Sequence, residues 1–148
     1  MSIFSRFRGD EVQRQIERLG LGHKPHEIRA AMSALLDIGE RAVVPLIQIL
    51  LNQEQPYIVR CRVAGTLAML KDGRATEPLI NTLRDSNAQV RWHALKALEK
   101  LGARSAVPEL RRMAESDEGE FSIMPTLHIV LKDAAREAVE NIEAAGRR

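Results

Sequence analysis

The stretch VRWHALKALEKLGARSAVPELRRM, Val90 to Met113, decides the fold of this chain. Val90, Ala94, Leu98 and Leu101 recur at the three- and four-residue spacing of a helix face. Gly102 then breaks the pattern, and Ala106, Val107 and Pro108 lead into a second apolar series, Leu110 and Met113. This reads as helix, tight turn, helix. Gly102 suits the left-handed backbone that closes a helix, and Pro108 suits a first helical turn, where the missing N–H costs nothing.

The unit is not alone. Thirty-one positions earlier its first half recurs as Val59, Val63, Leu67 and Leu70, followed by Pro78, Ile80 and Leu83. Earlier still come Ala31, Leu35, Ile38 and Gly39, then Val43, Val44, Pro45, Ile47 and Leu50. The middle unit replaces the glycine with Lys71-Asp72-Gly73, which reads as one extra turn residue. A fourth first helix is expected at Leu131, Ala135, Ala138, Val139 and Ile142, with no second helix after Gly146. At the other end Asp10-x-x-Gln13 resembles a capping box opening a short helix with Val12, Ile16 and Leu19 on one face. Units that repeat at a fixed period bury their apolar faces only against their neighbours, so the expected fold is an all-α solenoid.

The expected plan is one domain over residues 1–148. It comprises an N-terminal capping helix (1–22), three helical hairpins (23–115), an insertion loop (116–126) and a C-terminal capping helix (127–148). The loop follows from spacing: Val59 to Val90 is 31 residues, whereas Val90 to Leu131 is 41, and the surplus lies in SDEGEFSIMPT. Aromatics are 3% of the chain, so Leu, Ile, Val and Ala must form the core, and no sheet is expected.

The net charge of +2 permits an acidic partner and disfavours a dedicated nucleic-acid binder. Cys61 is the only cysteine, so no disulfide framework is available and a reducing, cytoplasmic setting is expected. The N-terminal MSIFSRFRGD carries arginines within its short apolar stretch and lacks the apolar region of a secretory leader. Interleaved Ile3, Arg6, Phe4, Phe7 and Arg8 could either cover the core or touch a membrane surface. No apolar run reaches the length of a membrane span.

The pattern V-R-x-x-A-x-x-A-L-x-x-L-G followed by A-V-P-x-L, here Val90 to Gly102 and Ala106 to Leu110, resembles the short HEAT-like repeat of phycobilisome-lyase-type proteins. The resemblance implies a superhelix whose second helices line the concave side. It further implies a ladder between units, in which an acid ending one second helix pairs with a base opening the next first helix. Asp85 with Arg91, and Glu54 with Arg60, each six residues apart, are the expected rungs. Arg29 and Lys132 occupy the basic position in the outer units. Lyase activity does not follow, because function resides in sites and not in folds.

No catalytic site is legible, and no metal or cofactor is expected. His26-Glu27 invites comparison with deoxyhypusine hydroxylase, a HEAT-like enzyme holding iron through several His-Glu pairs, but here the pair is single. His23 and His26 lack a third metal ligand. No Gly-rich phosphate loop, nucleophile elbow or paired-Cys motif is present.

The expected function is therefore a non-catalytic protein-interaction scaffold. Residues three after each proline, Gln48, Asn81 and Arg111, with neighbouring Asn52, Arg84 and Arg112, should form its outward strip. Trp92 is a candidate interface residue, as are Phe121 and Met124 of the insertion. The alternatives are an accessory role in bilin attachment, implied by the lyase-type resemblance, and a basic nucleic-acid surface like that of the HEAT-like alkylpurine DNA glycosylases. Since neighbouring units share one core, thermal or denaturant unfolding should give a single cooperative transition. Two well-separated transitions by circular dichroism would contradict the shared core.

Overall fold

Eight α-helices follow the repeat of the sequence, in a computed structural model that describes residues 3–147 and the side chains of 11–147. They are α1 (Ile3–Leu21), α2 (Pro25–Ile38), α3 (Val43–Leu51), α4 (Tyr57–Leu70), α5 (Thr76–Thr82), α6 (Ala88–Leu101), α7 (Val107–Ser116) and α8 (Leu131–Ala145). Short 3₁₀ turns, Gly39–Ala42, Gly73–Ala75 and Arg104–Ala106, join the two helices of each hairpin. Each turn delivers a fully buried alanine, Ala42, Ala75 or Ala106, at the mouth of the second helix. Four residues on, Leu46, Leu79 and Leu110 are equally buried, which is the helical spacing that places both on the inner face.

Packing runs along the chain. The first helices form one layer in which α2 touches α4, α4 lies on α6, and α6 on α8. Each second helix also packs on the following first helix: α3 on α4, α5 on α6, α7 on α8. The core is continuous from Val12 through Leu35, Leu67 and Leu98 to Ile142, almost entirely aliphatic. The expected fourth first helix is present as α8, with Leu131, Ala135, Ala138, Val139 and Ile142 all buried.

The N-terminal cap is longer than the capping-box reading suggests. Helix α1 already runs from Ile3, so Asp10 lies inside it and is not an N-cap. Val12, Ile16 and Leu19 are buried. Its C-terminus is tied down by Arg62 of α4, whose Nη1 donates to the carbonyls of Leu19 (2.7 Å), Gly22 (3.1 Å) and Gly20 (3.2 Å). A cation there satisfies orphan carbonyls and faces the negative end of the helix dipole. The side chains of Ile3, Phe4, Arg6, Phe7 and Arg8 lie outside the described residues.

Two expectations need correction. The insertion is not a loop over 116–126: strands β1 (Glu120–Met124) and β2 (Leu127–Val130) form an antiparallel hairpin, and the capping helix begins at Leu131 instead of 127. The run EFSIMPTLHIV alternates apolar and polar residues on both sides of a Pro125-Thr126 turn, which is strand patterning. Phe121 and Ile129 face each other across the strands, and Phe121 meets the edge of Trp92 at 5.9 Å between ring centroids. The amide of Leu131 donates to Gly119 O (3.0 Å) and closes the hairpin base.

The second correction concerns the middle unit, whose turn carries no extra residue. Lys71 takes the place of Gly102 and adopts the same left-handed backbone, φ 54° against 62°. The proline is displaced by one position within its helix, to the third residue of α5. A β-carbon in this conformation is strained by about 1–2 kcal/mol. Lys71→Gly should therefore raise stability by roughly 0.5–1 kcal/mol once the greater freedom of glycine in the unfolded chain is offset. Denaturant midpoints would show it, and a loss of stability would contradict the left-handed assignment.

Candidate functional site

One edge of the stack, where second helices hand over to first helices, holds the two least exposed ion pairs among the described residues. Arg60 opens α4 and Asp85 follows α5, and both side chains are buried. Arg60 Nη1 donates to Asp85 Oδ2, and Gln53 Nε2 donates to the same oxygen (3.0 Å). The backbone N–H of Asn87 donates to Asp85 Oδ1 (2.9 Å), and Arg60 Nε donates to Gln55 O (3.2 Å). One unit on, Arg91 grips Asp117 as a fork, Nε to Oδ2 at 2.7 Å and Nη2 to Oδ1 at 2.8 Å. The amide of Gly119 donates to Asp117 Oδ1 (2.7 Å), matching the bond from Asn87.

The rungs thus differ from the expected ones. Each arginine pairs with the acid 25 or 26 residues ahead, and not with the one six behind. The reason is geometric: the two helices of a unit are antiparallel, so the end of the second returns beside the start of the first. The residue six behind remains near only through its backbone. Arg91 Nη1 donates to Asp85 O (2.9 Å) and Ser86 O (3.2 Å). Glu54 is exposed and has no ion pair among the described residues. Asn52 Oδ1 accepts the amide of Glu54 (3.0 Å), and in this turn Gln53 reaches Arg60 in its place.

Beside these rungs lies an open cleft of about 590 Å³, lined by Leu83, Arg84, Asp85, Arg91, Arg112, Ser116, Asp117, Glu118 and Gly119. Asp85 and Asp117 are engaged by Arg60 and Arg91, and Glu118 by Lys132. Arg84 and Arg112 remain at the mouth, and both bind one carboxylate. Arg84 Nε and Nη2 donate to Glu109 Oε1 and Oε2 (2.9 and 3.0 Å), while Arg112 Nε and Nη2 donate to Oε1 (2.8 and 2.6 Å). Hydrogen bonds from Arg84, then Arg112, hold the Glu109 carboxyl down to about 2. Gly119 is tightly surrounded beside the cleft: a β-carbon there would meet the side-chain ends of Arg91, Leu131 and Asp117, which would have to shift.

The expected outward strip is dispersed. Gln48, Asn52 and Asn81 are exposed on or just beyond their second helices. Arg84 and Arg112 converge on Glu109, whereas Arg111 turns away to Glu143 of α8 (2.5 Å). Trp92 is half-buried against Phe121, so these two meet each other, while Met124 is exposed on the hairpin. Sequence reasoning missed Glu109, Asp117 and Gly119. The recurrence of Asp-x-Asn at 85–87 as Asp-x-Gly at 117–119, each 25 or 26 residues after an arginine, was the available signal.

The remaining candidates have local roles. Glu27 Oε2 accepts the amides of His23 and Lys24 (3.3 Å each), so it caps the start of α2. Among the described residues no group of three or more His, Cys, Asp or Glu is placed to hold a metal ion. Cys61 is buried, and that burial pushes its thiol up to about 12, which leaves it a small core residue at neutral pH. Among the described residues no helix is long and apolar enough to cross a membrane.

Two outcomes follow. Arg60→Ala should cost about 3–5 kcal/mol, because it strands a buried carboxylate, whereas Arg60→Leu combined with Asp85→Leu should recover most of the loss in denaturant titrations. Acid should act in two stages. Burial lowers the His93 pKa, so its contribution is present above the usual imidazole range and fades as pH falls through that range. The contribution of Glu109 is complete above about 4.5 and is lost as pH falls toward about 2. Melting temperatures against pH would show the second stage weakened in Glu109→Gln.

No curated protein matches the chain in sequence. The family model for HEAT repeats matches residues 43–122, from the first residue of α3 into β1. That span covers more than half of the 148 residues and contains both rungs and the cleft. The chain belongs to the HEAT-repeat family.

Proposed function

We propose that this chain is a non-catalytic protein-interaction module, working in a reducing, cytoplasmic setting that suits its one buried thiol. The observation that carries the reading is the contrast between the two sides of the second helices. Their inner residues, Leu46, Leu79 and Leu110, are fully buried, whereas Gln48 and Asn81 stand in solvent, as do the guanidiniums of Arg84 and Arg112, which line an open cleft. HEAT repeats commonly mediate protein–protein contacts, and a polar, outward strip on a rigid scaffold is the surface such contacts use. The small excess of positive charge along it favours an acidic partner.

The test is affinity capture from the native host, followed by reconstitution with the captured protein in purified form. Gln48→Glu combined with Asn81→Glu should abolish that purified interaction, by setting like charge against the partner, and leave the melting temperature unchanged. Fluorescence anisotropy with a generic DNA duplex and absorbance with free bilin supply the competing outcomes. Binding of duplex with a steep salt dependence, or a bilin spectral shift, in place of a protein complex would overturn the reading.

A further inference from the structure

Arg84 and Arg112 are exposed, yet neither is free to wander. Glu109 is nearly covered, with a side-chain exposure of 13%, and lies behind both guanidiniums. It is absent from the cleft lining, whereas Arg84 and Arg112 form part of it. Each arginine spends two N–H donors on this carboxylate. A guanidinium carries five, so donors on both remain unused by it. Two positive charges are thus oriented by a single negative one, which leaves one positive charge unneutralised at the cleft mouth. Fixing two forks in advance removes much of the ordering cost that exposed arginines otherwise incur on binding.

We propose that this cleft is a binding site for a carboxylate-bearing peptide segment, with one acidic side chain held between Arg84 and Arg112. The proposal rests on the protein-binding reading and names the chemistry of the partner. The remaining walls set the selectivity. Arg91, the third arginine of the lining, is spent on Asp117, so a polyanion such as nucleic acid meets no further unpaired cation among the described lining residues. A single carboxylate matches the one surplus charge. The volume of about 590 Å³ accommodates a few residues of extended chain.

The experiment is a ¹⁵N NMR titration of the full chain with a capped, Gly-flanked peptide carrying one Glu, its Gln counterpart, and inorganic phosphate. The Glu peptide should shift the Arg84 and Arg112 Nε–H resonances and the amides of Ser116 and Gly119. Arg84→Gln or Arg112→Gln should each weaken binding by about tenfold. Arg111→Gln, whose side chain is held by Glu143 away from the cleft, should leave the affinity unchanged. Equal binding of the Gln peptide would overturn the proposal, as would tighter binding of phosphate. Shifts confined to Gln48 and Asn81 would overturn it too, while leaving the protein-binding reading intact. No shift with any probe would remove the carboxylate site, and capture from the host would still judge the broader reading separately.

Discussion

The buried pair between Arg60 and Asp85 is the constraint on which the middle of this molecule turns. An aliphatic core of leucine and alanine holds helices together, but it is indifferent to small slips of one helix along another. A guanidinium and a carboxylate that are both out of water are not indifferent: each loses several kcal/mol if its partner moves away. Gln53, Gln55 and Asn87 are drawn in to satisfy the same two groups, so the α3–α4 turn and the α5–α6 turn are fixed by one interaction. The second rung, Arg91 with Asp117, repeats the arrangement and takes in the glycine that begins the hairpin. The rungs set the register that the core alone leaves loose.

The same edge supports the candidate site. Asp85 and Asp117 line the cleft, but their charges are already engaged from within the stack. This leaves the field at its mouth to Arg84 and Arg112, with Glu109 behind them. The cleft therefore inherits its rigidity from the ladder and its polarity from the pair of arginines. Arg62 does comparable work at the other end, gathering three carbonyls at the end of α1 and tying that helix to α4 of the middle unit.

Much of this was legible in the sequence, and the failures are specific. Leu98, Leu67 and Leu35 announced the helix faces because a 3.6-residue period leaves little choice of which side is inner. The fourth first helix was readable for the same reason. The hairpin was overlooked because its strands are four and five residues long, and Pro125-Thr126 lacks the glycine or asparagine that marks a tight hairpin turn. The rung partners are not legible in the same way. An acid six residues behind each arginine and one 25 or 26 ahead are both near in the repeat, and only the packing of the hairpin selects the second. Glu109 could not be singled out from sequence, since an acid in the first turn of a helix is ordinary until Arg84, 25 residues away, is seen to reach it.

Each rung also closes a ring. From Arg60 to Asp85, and from Arg91 to Asp117, the chain leaves and returns within one hairpin, so the ion pair spans a short loop whose closure entropy is small. Order can then spread from unit to unit without waiting for distant segments to meet, the regime in which helical chains fold quickly. The ring also defines the natural quantum of growth. A segment running from one arginine to the next carries its own closure and presents matching ends, so lengthening by whole units preserves every rung.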